Sequence, residues 1–219
     1  MHIAIFALAC VSGLTAAIID LPGFGDDKSP EQILGEKLLD GYDPRWRPVK
    51  SAKDTVQVTI KNDLLRVKHF MWKNPFITWN PDEHDGIQQM NFATEDMWIP
   101  DLDHYNRAEP RTNGVQMSHY DVIYDPTGGA VQVEDAHWKT TNCTKAGNDI
   151  RCRFTFGSWM FNSRLVNITL GGVDTTYMSE HPTLKLQSFT ATREDKSYAC
   201  CPDKNYPRIH LNVHVKKVE

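Results

Sequence analysis

The sequence of 219 residues has no excess of positive charge: 24 Lys and Arg stand against 28 Asp and Glu, a formal charge of -4. No block of like charge occurs either, so the chain lacks the clustered basic face that a nucleic-acid partner requires. Catalytic signatures are missing as well. There is no G-x-S-x-G, H-E-x-x-H, P-loop or EF-hand pattern, and "DEHDG" lacks the ligand spacing of a calcium loop. No nucleophile–base pair, metal site or cofactor site is therefore indicated, and an enzyme is not expected. Repeats and low-complexity tracts are absent, and past the N-terminus no apolar run reaches the 18 or so residues of a membrane span. Cysteine is scarce, at five residues.

What is present begins with "MHIAIFALACVSGLTAAIID", an apolar run ending in small residues and turning acidic at Asp20. It predicts a secretory signal over residues 1–17, cleaved near Ala16 or Ala17, with one domain over 18–219 and an extracellular destination. Cleavage removes Cys10 and leaves Cys143, Cys152, Cys200 and Cys201. In an oxidising compartment these imply two disulfides, with three connectivities possible. Sequons at Asn142 and Asn167 suit a secreted glycoprotein.

"DDKSPEQILGEKLLDGYD" reads as a short helix. Ser29 is its cap, Pro30 its first residue and Gln32 the closing member of a capping box, with Ile33, Leu34 and Leu38 as the apolar stripe. The period then changes to two. Val56, Val58 and Ile60 alternate in "TVQVTI", Cys152, Phe154 and Phe156 in "RCRFTF", and Ile209, Leu211, Val213 and Val215 in "RIHLNVHV". Turn signals such as "WNPDEHDG", "DPTGG" and "KAGND" separate them, so the fold is all-β, an antiparallel sandwich or barrel. His210 and His214 share a strand face but stand about 13 Å apart, too far to share a metal, and are expected to be solvated.

Cys143 and Cys152 bracket a hydrophilic loop, and a bond closing about ten residues would stabilise by roughly 2.7 kcal/mol. Cys200 and Cys201 are neighbours in "YACCPDKNY". A bond between them closes almost no loop, so its effect is to stiffen the local backbone. Cross-pairing of these two with Cys143 and Cys152 is the alternative. A stiff hairpin tip carrying Tyr198 and Tyr206 has the character of a lid, and Trp98, Tyr105 and Trp159 lie near loops that could meet it, although an aromatic taken singly belongs more often to a core.

These segments resemble the ligand-binding domain of the pentameric Cys-loop receptors, and most closely its soluble acetylcholine-binding relatives. The pieces "LLDGYDPRWRPV", "WKNPFITWNPDEHDGI", "EDMWIPDLDHYN", "FGSWMF" and "YACCPDKNY" occur in that family's order over nearly the whole chain. The resemblance implies an N-terminal helix and a twisted antiparallel sandwich of about ten strands, assembled as a homopentamer. It implies a cationic ligand, acetylcholine or a nicotine-like agonist or antagonist, held by cation–π contacts in an aromatic cage between subunits. The principal face would comprise Tyr105, Trp159, Tyr198, Cys200, Cys201 and Tyr206, with the last two cysteines bonded as a vicinal disulfide. The complementary face would comprise Val67, Gln132 and Glu134, where the family usually has a tryptophan and apolar side chains. Trp72 and Trp79 match framework tryptophans and belong to the core.

Two features set the sequence apart from a channel subunit. The loop "TKAGNDIR" is short and polar where receptors carry an apolar one, and the sequence ends at "VHVKKVE", where a first membrane helix would begin. The expectation is a secreted, soluble ligand-binding protein; the rivals are the extracellular part of a ligand-gated channel and, from a different class, a secreted hydrolase or metal-binding protein.

Overall fold

A computed structural model of the chain describes residues 28–63, 67–108, 121–135, 140–175 and 181–218. The expected signal segment lies outside the described residues. Helix α1 (Pro30–Leu39) begins with the capping box that the sequence predicts: the Ser29 hydroxyl accepts from the Gln32 backbone N–H, and the Gln32 side chain accepts from the Ser29 N–H. Leu34 is fully buried and Leu38 packs against the core, whereas Ile33 is 53 % exposed. Ile33 is thus not part of the stripe. The helix contacts the core through Leu34, Leu38 and Leu39, about one residue per turn.

Among the described residues eleven strands follow, in two sheets. They are β1 (Val56–Asp63), β2 (Val67–Lys73), β3 (Met90–Phe92), β4 (Leu102–His104), β5 (Val122–Tyr124), β6 (Gly129–Asp135), β7 (Cys143–Ala146), β8 (Asp149–Ser158), β9 (Val166–Asp174), β10 (Leu184–Tyr198) and β11 (Cys201–Lys217). One sheet runs β3-β5-β6-β2-β1-β9; the other runs β10-β11-β8-β4, with β7 also paired to β8. Pairing is antiparallel except between β1 and β9, which run parallel. The all-β sandwich with one short helix is therefore as expected.

The alternation read from the sequence becomes the core. Val56, Val58 and Ile60 of β1 meet Ile209 and Leu211 of β11, Phe156 of β8 and Ile168 of β9 in one cluster, all nearly inaccessible to solvent. Trp72, Trp79 and Trp98 are buried there too, with Trp72 and Trp98 in edge contact at 6.0 Å. Cys143 and Cys152 are joined, directly opposite each other across the β7–β8 hairpin. Among the described residues no helix is long and apolar enough to cross a membrane.

One polar network is sealed inside. Asn74, fully buried, donates to the Tyr42 and Tyr124 hydroxyls at 3.0 and 3.3 Å and accepts from the Phe76 N–H at 3.1 Å. Its own N–H donates to the Gly128 carbonyl at 2.8 Å. The Tyr42 hydroxyl in turn accepts from the Trp98 N–H, which ties the helix end to the segment leading into β4. Gly128 sits at φ +84°, and a Cβ there would lie 2.3 Å from the Asn74 carbonyl, so only glycine allows this approach. Asn74→Ala should therefore lower stability by about 2–3 kcal/mol, because it leaves several buried polar groups without partners. Urea denaturation checks this; a loss below about 0.5 kcal/mol would show that the network carries little.

Candidate functional site

The aromatic residues singled out in the sequence converge at one end of the second sheet, because β8 lies between β4 and β11. Gly157 on β8 faces Asp103 on one side and Arg208 on the other. One residue beyond β8, the chain must turn, and Asp101 turns it. Its carboxylate accepts from the Ser158 hydroxyl and from the Met160 N–H, each at 2.6 Å, while the Ser158 hydroxyl accepts from the Phe161 N–H at 2.8 Å. This bracket leaves Trp159 on the outside, 65 % exposed.

Tyr105 is fixed beside it. Its hydroxyl donates to the Ser158 carbonyl at 2.8 Å, and its ring lies 5.7 Å from Trp159, tilted by 34°. The ring fits only because residue 157 is glycine: a Cβ would approach it to 2.9 Å and the Pro207 carbonyl to 3.0 Å. Burial, chiefly, pushes the Tyr105 phenol up to about 12, with the nearby Tyr198 adding to the shift and Arg208 opposing it.

The second aromatic pair comes from the β10–β11 hairpin. Tyr198 is opposite Cys201, leaving Ala199 and Cys200 as the tip, and Lys196 is opposite Tyr206. One residue on β10 thus faces four on β11, an enlarged bulge that turns Tyr206 back toward Tyr198. Their rings meet edge-on at 5.3 Å. Asn205, within the bulge, accepts from the Ser197 hydroxyl at 2.9 Å, and its carbonyl accepts from the Ser163 N–H at 2.7 Å, which anchors the tip to the segment after Trp159. The expected bond between Cys200 and Cys201 is not formed here. Their sulfurs stand 2.7 Å apart, close neighbours but beyond the ~2.05 Å of a disulfide. The adjacent Cys201 side chain raises the Cys200 pKa, and burial, followed by the Cys201 sulfur, raises that of Tyr206.

Between the two pairs stands a residue that the sequence reading missed, Arg208. Its guanidinium carbon lies 4.7 Å from the centre of the Tyr105 ring and 5.5 Å from that of Tyr198, whose hydroxyl accepts from Nη2. Its Nε is buried with no hydrogen-bond partner among the described residues. The signal was available: with Ile209 and Leu211 inward, Tyr206, Arg208 and His210 share the outer face of β11.

The other expected positions divide. Gln132 is only 6 % exposed and stands opposite Phe70 and Val122 on the face turned to the core, so it is withdrawn from the outer surface. The cause is the two-residue period, which gives it the orientation of buried Ala130. Val67 and Glu134 lie on β2 and β6, and their side chains are outside the described residues. His210 and His214 are not solvated: His210 hydrogen-bonds Thr155 at 3.0 Å and Glu194 at 2.8 Å, and His214 hydrogen-bonds Asp149 at 2.7 Å. These contacts hold the Glu194 and Asp149 carboxyls below the usual carboxylate range. Among the described residues no group of His, Cys, Asp and Glu is arranged to hold a metal.

With the geometry in place, comparison with known proteins is informative. The family described as neurotransmitter-gated ion-channel ligand binding domain matches residues 65–218. Similar proteins include the neuronal acetylcholine receptor subunit alpha-9-I of Oncorhynchus mykiss, 23% identical over 91% of this chain and 38% of the relative. The human alpha-9 subunit is 22% identical over 88% of this chain and 44% of its own length. The Caenorhabditis elegans receptor subunit alpha-type acr-16 is 23% identical over 95% and 45%. The chain spans less than half the length of these relatives.

Two outcomes are expected. Because Tyr42, Tyr105 and Tyr124 all resist ionisation in the folded state, stability should fall as pH rises from about 10, where unfolded tyrosine titrates, towards about 12. A thermal melting midpoint unchanged over that interval would contradict it. Gly157→Ala should displace the Tyr105 ring and return its titration toward ~10, seen by ultraviolet absorbance as one phenol ionising earlier than in the parent protein; an unaltered titration curve would show that the ring does not depend on this glycine.

Proposed function

Because the chain belongs to the family of neurotransmitter-gated ion-channel ligand-binding domains, which are not enzymes, we propose that its aromatic cluster binds a small ammonium-bearing ligand of the acetylcholine and nicotine class. The ligand is held where one copy of the chain meets the next in a secreted homopentamer. Tyr105, Trp159, Tyr198 and Tyr206 supply the ring faces, and the Cys200–Cys201 pair, oxidised outside the cell, stiffens the tip that closes over the ligand. The neighbouring copy contributes the outer face of the first sheet, with Val67 of the second strand as the remaining candidate. Asn142 is exposed and open to a sugar; the Asn167 amide is engaged with Gln57 at 2.8 Å and is the less accessible of the two sequons.

The observation that carries this reading is the contrast among tryptophans. Trp72, Trp79 and Trp98 are at most 9 % exposed, and exposed Trp46 has its indole N–H tied to Asp43 at 2.9 Å, whereas Trp159 is 65 % exposed against Tyr105, at the end of the sheet that also carries Tyr198 and Tyr206. An indole held out of the core by a dedicated carboxylate bracket is surface prepared for contact. A quaternary ammonium cannot donate a hydrogen bond, so ring faces suit it, at about 2 kcal/mol for each desolvated cation–π contact. Three or four such contacts approach the roughly 8 kcal/mol of micromolar binding, before ordering costs.

A second reading, the extracellular portion of a ligand-gated channel, is favoured by the relatives, which are receptor subunits more than twice as long as the matched segment. The ligand site would be the same. The full transcript decides between them, since an apolar span soon after Glu219 makes it a channel.

The test is isothermal calorimetry with acetylcholine and nicotine on the assembled protein and on Trp159→Ala. The substitution should cost roughly 2 kcal/mol or more in ammonium binding while light scattering shows the same assembly. No heat at millimolar ligand, or full affinity in a correctly assembled variant, would overturn the proposal.

A further inference from the structure

The aromatic cluster already contains a cation. Arg208 lies over the rings of Tyr105 and Tyr198, two of the four that the proposed ligand would use. Such a charge inside a binding site is ordinarily neutralised by a carboxylate, but every nearby carboxylate is committed elsewhere. Glu194, directly across the strand pair from Arg208, spends its hydrogen bond on His210 and acts on Arg208 only at longer range. Asp103 is paired with Arg107 at 2.5 Å, and both oxygens of Asp101 hold the turn around Trp159. The described residues thus put no carboxylate in ion-pair contact with Arg208, and its Nε is a buried donor with nothing to donate to.

An orphaned donor on a charged group is costly unless something arrives to meet it. The planar guanidinium is shaped to receive a carboxylate through two parallel hydrogen bonds. A ligand bearing only positive charge would meet the opposite: repulsion from Arg208 and competition for the Tyr105 and Tyr198 faces. Among the described residues no cation lies over Trp159 or Tyr206, so the cluster offers two free ring faces as well as a cation.

We propose that the ligand of this site is a zwitterion, its ammonium against Trp159 and Tyr206 and its carboxylate on Arg208. This rests on the reading of the aromatic cluster as a ligand site and narrows the chemistry it selects. Arg208 is then the residue that separates amino-acid-like ligands from simple choline-type cations.

The test compares ligands sharing one trimethylammonium group: choline, which carries no carboxylate, and glycine betaine and γ-butyrobetaine, in which one and three carbons separate the charges. Affinities are measured by calorimetry at fixed ionic strength on the assembled wild-type protein and on Arg208→Gln. The better of the two zwitterions should bind wild type at least about tenfold tighter than choline, as one added charge-assisted pair implies. Arg208→Gln should abolish that advantage and improve choline binding. Choline binding as tightly as both zwitterions to wild type would overturn the inference while leaving the aromatic site standing. Failure of all three to bind wild type would overturn both. The wild-type comparison needs no variant, so it decides even if Arg208→Gln does not assemble.

Discussion

A single carboxylate shapes the functional end of this molecule. Asp101, just before β4, accepts from the Ser158 hydroxyl and the Met160 N–H and so reverses the chain at the end of β8. Trp159 follows Ser158 on the outward phase of a strand whose Phe154 and Phe156 face inward, and the bracket fixes it there where the strand ends. With it, Trp159 is held outside, Ser158 presents its carbonyl to Tyr105, and the ring pair is fixed. Hydrogen bonds to a charged acceptor are stronger than neutral ones, which suits them to hold an exposed aromatic against the hydrophobic pull of the core.

The rest of the fold brings the remaining parts to that bracket. Placing β8 between β4 and β11 puts three sequence-distant segments within reach of each other, and the bulge after the cysteine pair turns Tyr206 toward Tyr198. The stability of the sandwich comes from elsewhere: the interdigitated valines, isoleucines and aromatics, and the sealed polar knot around Asn74. This separation lets the hairpin tip vary in chemistry, thiol or disulfide, without much effect on global stability, because the loop it closes is minimal. Arg208 sits on the same strand as core residues Ile209 and Leu211 but on the opposite face, so the strand serves the interior and the site at once.

Much of this was legible in the sequence, for identifiable reasons. Capping chemistry is local, so Ser29, Pro30 and Gln32 located the start of the helix to the residue. Two-residue alternation is also local, and it predicted the buried faces of β1, β8 and β11. The family resemblance supplied what local rules could not, namely that Tyr105 lies against Trp159 and Tyr198 against Tyr206 at the same end of one sheet. What remained hidden depends on partners across the sheet. Whether His210 is solvated depends on Glu194, sixteen residues away in sequence but adjacent in space. Gln132 was assigned by family position, although its alternation with Ala130 already pointed inward. Arg208 was overlooked because an arginine on an outer strand face is ordinarily solvated, and only register and ring distances reveal it between two tyrosines.

The crystal structure of the assembled protein grown with acetylcholine tests the central claim most directly. The account predicts density for the ammonium within about 6 Å of the Trp159 and Tyr206 ring faces, at a boundary between two copies. Density at some other place, or Trp159 sealed flat against the neighbouring copy with no room for a cation, would contradict it.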